Sequence, residues 1–188
     1  MNLAEKESNY YQRIESTFIE KKVVEVYYEE IGFPEEDELW EHSNEIHSVD
    51  MNVIFRFEND ELAQLKWSDE FHSFGIGLET LKEIDYRDGI KTIEVTKSSN
   101  WQNLIGKSIS EINVIWDGGT STEYSEDSKV EPKQVEFKIP ESWEISFGDL
   151  RIWISAFEIE EGGNTKFWAD NLSVFFSESA QQKYNIAT

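Results

Sequence analysis

Carboxylates are the residues of this chain best supplied for chemistry, and their spacing is uneven. Between Lys22 and Arg56 stand ten of them, Glu25, Glu29, Glu30, Glu35, Glu36, Asp37, Glu38, Glu41, Glu45 and Asp50, with no Lys or Arg in between. Such a run can bind hard cations, pair with the Lys and Arg of a basic protein, or set two carboxyls across a cleft for hydrolysis. It repels nucleic acid and anionic membranes.

Each chemistry makes its own demand on the sequence. Calcium wants an Asp-x-Asn-x-Asp-Gly type of loop, and Asn59-Asp60-Glu61 is too short a ligand set. Asp117-Gly118-Gly119 and Glu160-Glu161-Gly162-Gly163-Asn164 offer two or three oxygens each, which ordinary turn chemistry also explains. A glycosidase needs two carboxyls about 5–10 Å apart, a condition that some pair among 39 acids meets by chance. The histidines are His42, His47 and His72, and His42-x4-His47 misses the i, i+4 spacing that puts two ligands on one helical face. Both are expected to be solvated in an acidic loop, with no metal. No Gly-x-Ser-x-Gly elbow, phosphate-binding loop or dinucleotide fingerprint occurs, so no catalytic residue and no cofactor is expected.

Docking of a basic protein fits the run best. Carboxylates without interspersed lysines repel one another, and a positive partner supplies the missing compensation. The expected contact surface is Glu29, Glu30, Glu35, Glu36, Asp37, Glu38, Trp40 and Glu41. Trp40 stands alone among acids, where it either anchors a partner or pins its own loop to the sheet. The alternative is a carbohydrate- or small-ligand-binding β-module, with or without Ca²⁺, in which Trp and Tyr faces stack on sugar rings. A hydrolase with a carboxylate pair ranks third.

The elements that must position these residues read as mainly β. Polar residues 1–20 carry Tyr11, Ile14 and Phe18 at helical spacing, which predicts a short N-terminal helix. Val23–Tyr28 suits a strand, and residues 29–50 read as a long acidic loop around Gly32-Phe33-Pro34. Val53–Phe57 and Leu62–Trp67 flank a polar turn and predict a hairpin; so do Trp143–Phe147 and Leu150–Ile159 around Gly148-Asp149. The glycines of Gly75-Ile76-Gly77-Leu78 mark a bulge or a close backbone approach. Asn100–Gly106 reads as one or two helical turns, and Ile109–Trp116 as an alternating strand. Residues 117–132 read as a mobile loop. About ten short strands predict an α+β, mainly β chain: one domain over 1–188, an antiparallel sandwich or rolled sheet with a short N-terminal helix.

Composition bounds the rest. The net charge is −22, yet 38% of residues are hydrophobic and 14% aromatic, which is enough to build a bulky core. Absence of Cys removes disulfides, thiolate metal sites and a Cys nucleophile. The opening residues, Met1-Asn2-Leu3-Ala4-Glu5-Lys6-Glu7, have no secretory pattern and no run approaches a membrane span, so a cytoplasmic protein is expected.

With its acidic stretch Glu29–Asp50 in a single β-rich domain, the chain resembles small acidic bacterial immunity proteins, the enzymatically silent partners of basic toxin domains. The resemblance implies that carboxylates occupy the places where the toxin's Lys and Arg hold substrate phosphates, with Trp40 filling a pocket. Trp67-x3-Phe71-x3-Gly75-Ile76, Trp101-x2-Leu104-Ile105-Gly106 and Ala169-Asp170-Asn171-Leu172 also have the texture of a bacterial family to which these motifs attach no activity.

Overall fold

The structure is a computed structural model that describes residues 2–33, 40–123, 131–159 and 164–186. Its first element is helix α1 (Leu3–Phe18), which starts where Asn2 and Glu5 form a reciprocal capping box. The buried face of α1 is Tyr10, Ile14, Thr17 and Phe18, so Tyr10 takes the place expected of Tyr11, which is exposed. The one-residue shift gives Tyr10 polar partners. Its hydroxyl donates to the Ile76 carbonyl and accepts from Trp143 Nε1 at 2.9 Å.

Eleven strands follow among the described residues: β1 (Val23–Ile31), β2 (Glu41–Ser43), β3 (Ile46–Val49), β4 (Asn52–Phe57), β5 (Leu62–Ser68), β6 (Gly75–Leu81), β7 (Ile90–Glu94), β8 (Glu111–Glu123), β9 (Lys133–Phe147), β10 (Leu150–Ile159) and β11 (Thr165–Phe175). Helices α2 (Ser99–Gln102) and α3 (Glu178–Lys183) complete the chain. The strands form two antiparallel sheets, a five-stranded one ordered β6-β5-β4-β1-β7 and a six-stranded one ordered β2-β3-β11-β10-β9-β8. This is the mainly β, sandwich-like architecture expected from the strand texture. No helix among the described residues is long and apolar enough to cross a membrane.

The main core lies between the sheets and follows from alternation. Val26 and Tyr28 of β1, Val53, Phe55 and Phe57 of β4, and Ala63 and Leu65 of β5 meet Trp143, Ile145, Ile152 and Ile154 of the other sheet. Phe18 packs edge-on against Phe55, Phe57 and Trp143, so α1 ties the two sheets together. Burying Tyr10, Ile14 and Phe18 contributes roughly 1.5–3 kcal/mol each. A smaller cluster, Trp153, Phe157, Phe175, Ala180 and Ile186, sits beneath α3.

Both expected hairpins form. Asp60 takes a left-handed φ of 64° in the β4–β5 turn, and Gly148 does so between β9 and β10. The close approach read from Gly75 is real: a Cβ there would stand 2.8 Å from Pro140 Cδ, where β6 meets β9.

Three expectations are corrected. Residues 29–50 are not one long loop, because β1 runs to Ile31 and β2 and β3 occupy the later part. Residues 117–123 continue β8 rather than opening a mobile loop; residues 124–130 lie outside the described residues. Val135–Ile139 and Trp143–Phe147, whose alternation on either side of Pro140 reads as two strands, are one, β9, because a register shift next to Trp116 lets a residue without an N–H sit in the ladder.

Candidate functional site

Glu29 and Glu30 are buried, at 2% and 6% exposure, which corrects their expected place on an open acidic surface. The cause is pairing on both sides of β1, with β4 and with β7. Alternation sends the two side chains to opposite faces. Glu30 stands opposite Lys91 in the β1–β7 ladder, while Glu29 turns to the outer face of the five-stranded sheet. On that face Glu29 lies opposite Asn52, Asn52 opposite Lys66, and Gln64 opposite Glu79.

These residues line a groove of about 500 Å³ with Glu29 at its floor. Asn52 Nδ2 donates to Glu29 Oε2 at 2.5 Å, and Gln64 Nε2 donates to the same oxygen at 3.1 Å. Arg87 Nη2 stands 3.6 Å from it, an ion pair too long to be a hydrogen bond. Thr92, cross-strand neighbour of Glu29 on β7, has a buried hydroxyl that makes no hydrogen bond among the described residues.

Five carboxylates line the groove, Glu29, Asp50, Glu79, Glu83 and Asp85, against two cations, Lys66 and Arg87. Lys66 is engaged with Glu79 at 2.5 Å, and Arg87 reaches Asp85 at 3.6 Å. The groove therefore favours a cationic visitor and disfavours phosphate. Exposed apolar side chains also occur in the lining, Ile31 and Trp67, and in the adjoining sequence. Ile31 (70%) lines the groove, Tyr86 (75%) sits between the lining residues Asp85 and Arg87, and Phe33 (56%) follows Gly32, whose N–H donates to the Gly89 carbonyl.

The other residues expected at the contact surface are not gathered here. Glu35, Glu36, Asp37 and Glu38 lie outside the described residues. Glu41 is exposed on β2, at the edge of the six-stranded sheet. Trp40 is half-buried and packs on the core, 4.6 Å edge-to-face from His47 and 5.8 Å from Tyr28. These contacts are those of a residue pinning its own segment. The run without Lys or Arg is also relieved in space: Arg56 Nε donates to Glu25 Oε2 at 2.7 Å, and Arg87 approaches Glu29.

His47 corrects a second expectation, since it is buried rather than solvated. Its Nδ1 lies 2.8 Å from Tyr28 Oη, which accepts from Trp101 Nε1 at 2.7 Å, and its Nε2 lies 3.1 Å from Asn100 Nδ2. Burial lowers its pKa to about 4, so it is neutral at pH 7. Among the described residues, no group of three or more His, Asp or Glu is arranged to hold a metal ion.

Asn52, Gln64, Lys66, Glu79 and Arg87 are the site residues that the run of acids did not announce. Gln64 carried a usable signal, a polar residue inside Leu62-Ala63-Gln64-Leu65, whose neighbours are all buried. Arg87 carried none, because its place depends on where the β6–β7 connection crosses the sheet. Comparison with protein-family models, with curated proteins and with solved structures gave no match.

Proposed function

We propose that this chain is a non-enzymatic binding protein that docks a basic protein, as an immunity protein neutralising a secreted toxin, and that the Glu29 groove is central to the docking face. The observation that carries this reading is a buried carboxylate in an acidic groove that is also lined by the exposed side chains of Ile31 and Trp67. Apolar and aromatic residues beside a charged pocket are what a protein hot spot requires, with anchors excluding water from the ionic contact. A lone metal ion or free phosphate needs no such lining.

The test is binding to the basic product of the reading frame adjacent to its own gene, measured across a range of NaCl concentrations. Tight, salt-sensitive association is expected, and Glu83→Lys with Asp85→Lys should slow association and flatten the salt dependence. Equal affinity for wild type and variant at every salt concentration would remove the proposal. A second reading, a carbohydrate or small-ligand module, is favoured by the side-chain amides of Asn52 and Gln64 and by Trp67 in the same lining. Saturable binding of a neutral glycan, insensitive to salt, would select it instead.

A further inference from the structure

We infer that the groove floor is a receptor for one arginine side chain of the partner, with Arg87 as its resident placeholder; the inference rests on the docking reading above. A carboxylate as buried as Glu29 is costly unless it is both hydrogen-bonded and paired with a cation. Its hydrogen bonds come from two neutral amides, and its cation stands 3.6 Å away. Among the described residues these three groups converge on Oε2, and none goes to Oε1. Oε1 is thus the half of the carboxylate left for a further donor.

Arg87 is suited to yield. It lies in the connection between β6 and β7, its side chain is about half exposed, and both its ion pairs measure 3.6 Å. A guanidinium arriving from a partner can present two parallel N–H groups to Oε1 and Oε2, a geometry that an ammonium cannot copy. Ile31, Met51 and Leu81 line the same groove and can cover the aliphatic stem. Arg87, once displaced, has Asp85 still beside it.

The experiment uses the full chain, with ¹H–¹⁵N spectra following the side-chain NH₂ groups of Asn52 and Gln64. The probes are N-acetyl-arginine amide, N-acetyl-lysine amide and the uncharged isostere N-acetyl-citrulline amide. Saturable shifts are expected with the arginine probe, at a dissociation constant on the order of 1 mM. Lysine should bind several-fold more weakly and citrulline should leave the signals unmoved. Glu29→Gln should abolish the shifts, and Arg87→Ala should tighten arginine binding several-fold by removing the competitor. Arg87 is half exposed, so that variant serves even if Glu29→Gln disturbs folding.

Shifts that persist in Glu29→Gln, or an Arg87→Ala variant that binds arginine more weakly, would overturn the inference. A basic partner that binds wild type and Glu29→Gln alike, while the arginine probe moves nothing, overturns the receptor and leaves the docking reading standing. Arginine binding without any basic protein partner does the reverse.

Discussion

Tyr28 and Glu29 are consecutive residues of β1, and the fold buries both, one on each face. Inside, the Tyr28 hydroxyl joins Trp101, His47 and Asn100 in a neutral chain closed over by Trp40 and Phe176. Outside, the Glu29 carboxylate rests on two amides and opens onto a groove. Neutral polar groups in a core are cheap once every member has a partner; a charge needs a counter-charge as well. The inner network is therefore satisfied by the chain itself and stabilises the sandwich. The outer site draws both its hydrogen bonds to one oxygen and holds its cation 3.6 Å away.

Removing a member of the inner network should give the largest effect. Trp101→Ala deletes a fully buried ring and leaves the Tyr28 hydroxyl short of a donor, and should cost about 3–5 kcal/mol in urea unfolding. A loss below 1 kcal/mol would show that the network is not what holds the two sheets in register.

Acid should attack the same place. His47 has a pKa of about 4 in the fold against 6.5 in the unfolded chain, so between those values the unfolded chain takes up the extra proton. Its contribution is complete above about pH 6.5 and is lost as the pH falls toward 4, on the order of 3 kcal/mol in all. Urea midpoints from pH 7 to 4 should fall more steeply for wild type than for His47→Gln, and parallel curves would refute the assignment.

Glu141 sharpens the comparison as a buried acid handled in a third way. Burial, with Asp117 nearby, raises its pKa to about 7, so the fold retains a proton that the unfolded chain gives up near pH 4.5. Stability from this group falls as the pH rises through that interval, opposite in sign to His47. Glu141→Gln should be more stable than wild type above pH 7, by about 2 kcal/mol, and no more stable at pH 4.

The smallest change in stability belongs to the outer site. Glu29→Gln keeps the size of the side chain, removes a desolvated charge, and should shift stability by less than about 1 kcal/mol in either direction. A loss as large as that of Trp101→Ala would make Glu29 a structural group and erase the contrast between the two faces.

Local signals in the sequence were enough for much of the architecture. The helix beginning at Leu3, the Asp60 and Gly148 turns and the alternation that half-buries Trp116 at the end of Ile109–Trp116 each follow from a few neighbouring residues. What required the third dimension was pairing. Glu29 and Glu30 read as surface because acids cluster around them in sequence, yet β4 and β7 flank β1 and bring Asn52, Arg56 and Lys91 to that strand. His47 read as solvated for the same reason, until β3 paired with β11 and Trp40 closed over it. Charge along a chain predicts charge in space only where no sheet intervenes.

The groove floor joins positions 23 and 35 residues apart in the chain, and its cation comes from still farther along. A ribosome that has released β1 alone has made a strand bearing bare acids and no receptor. The groove is complete only once β7 has emerged and docked, so the site exists no sooner than the five-stranded sheet does.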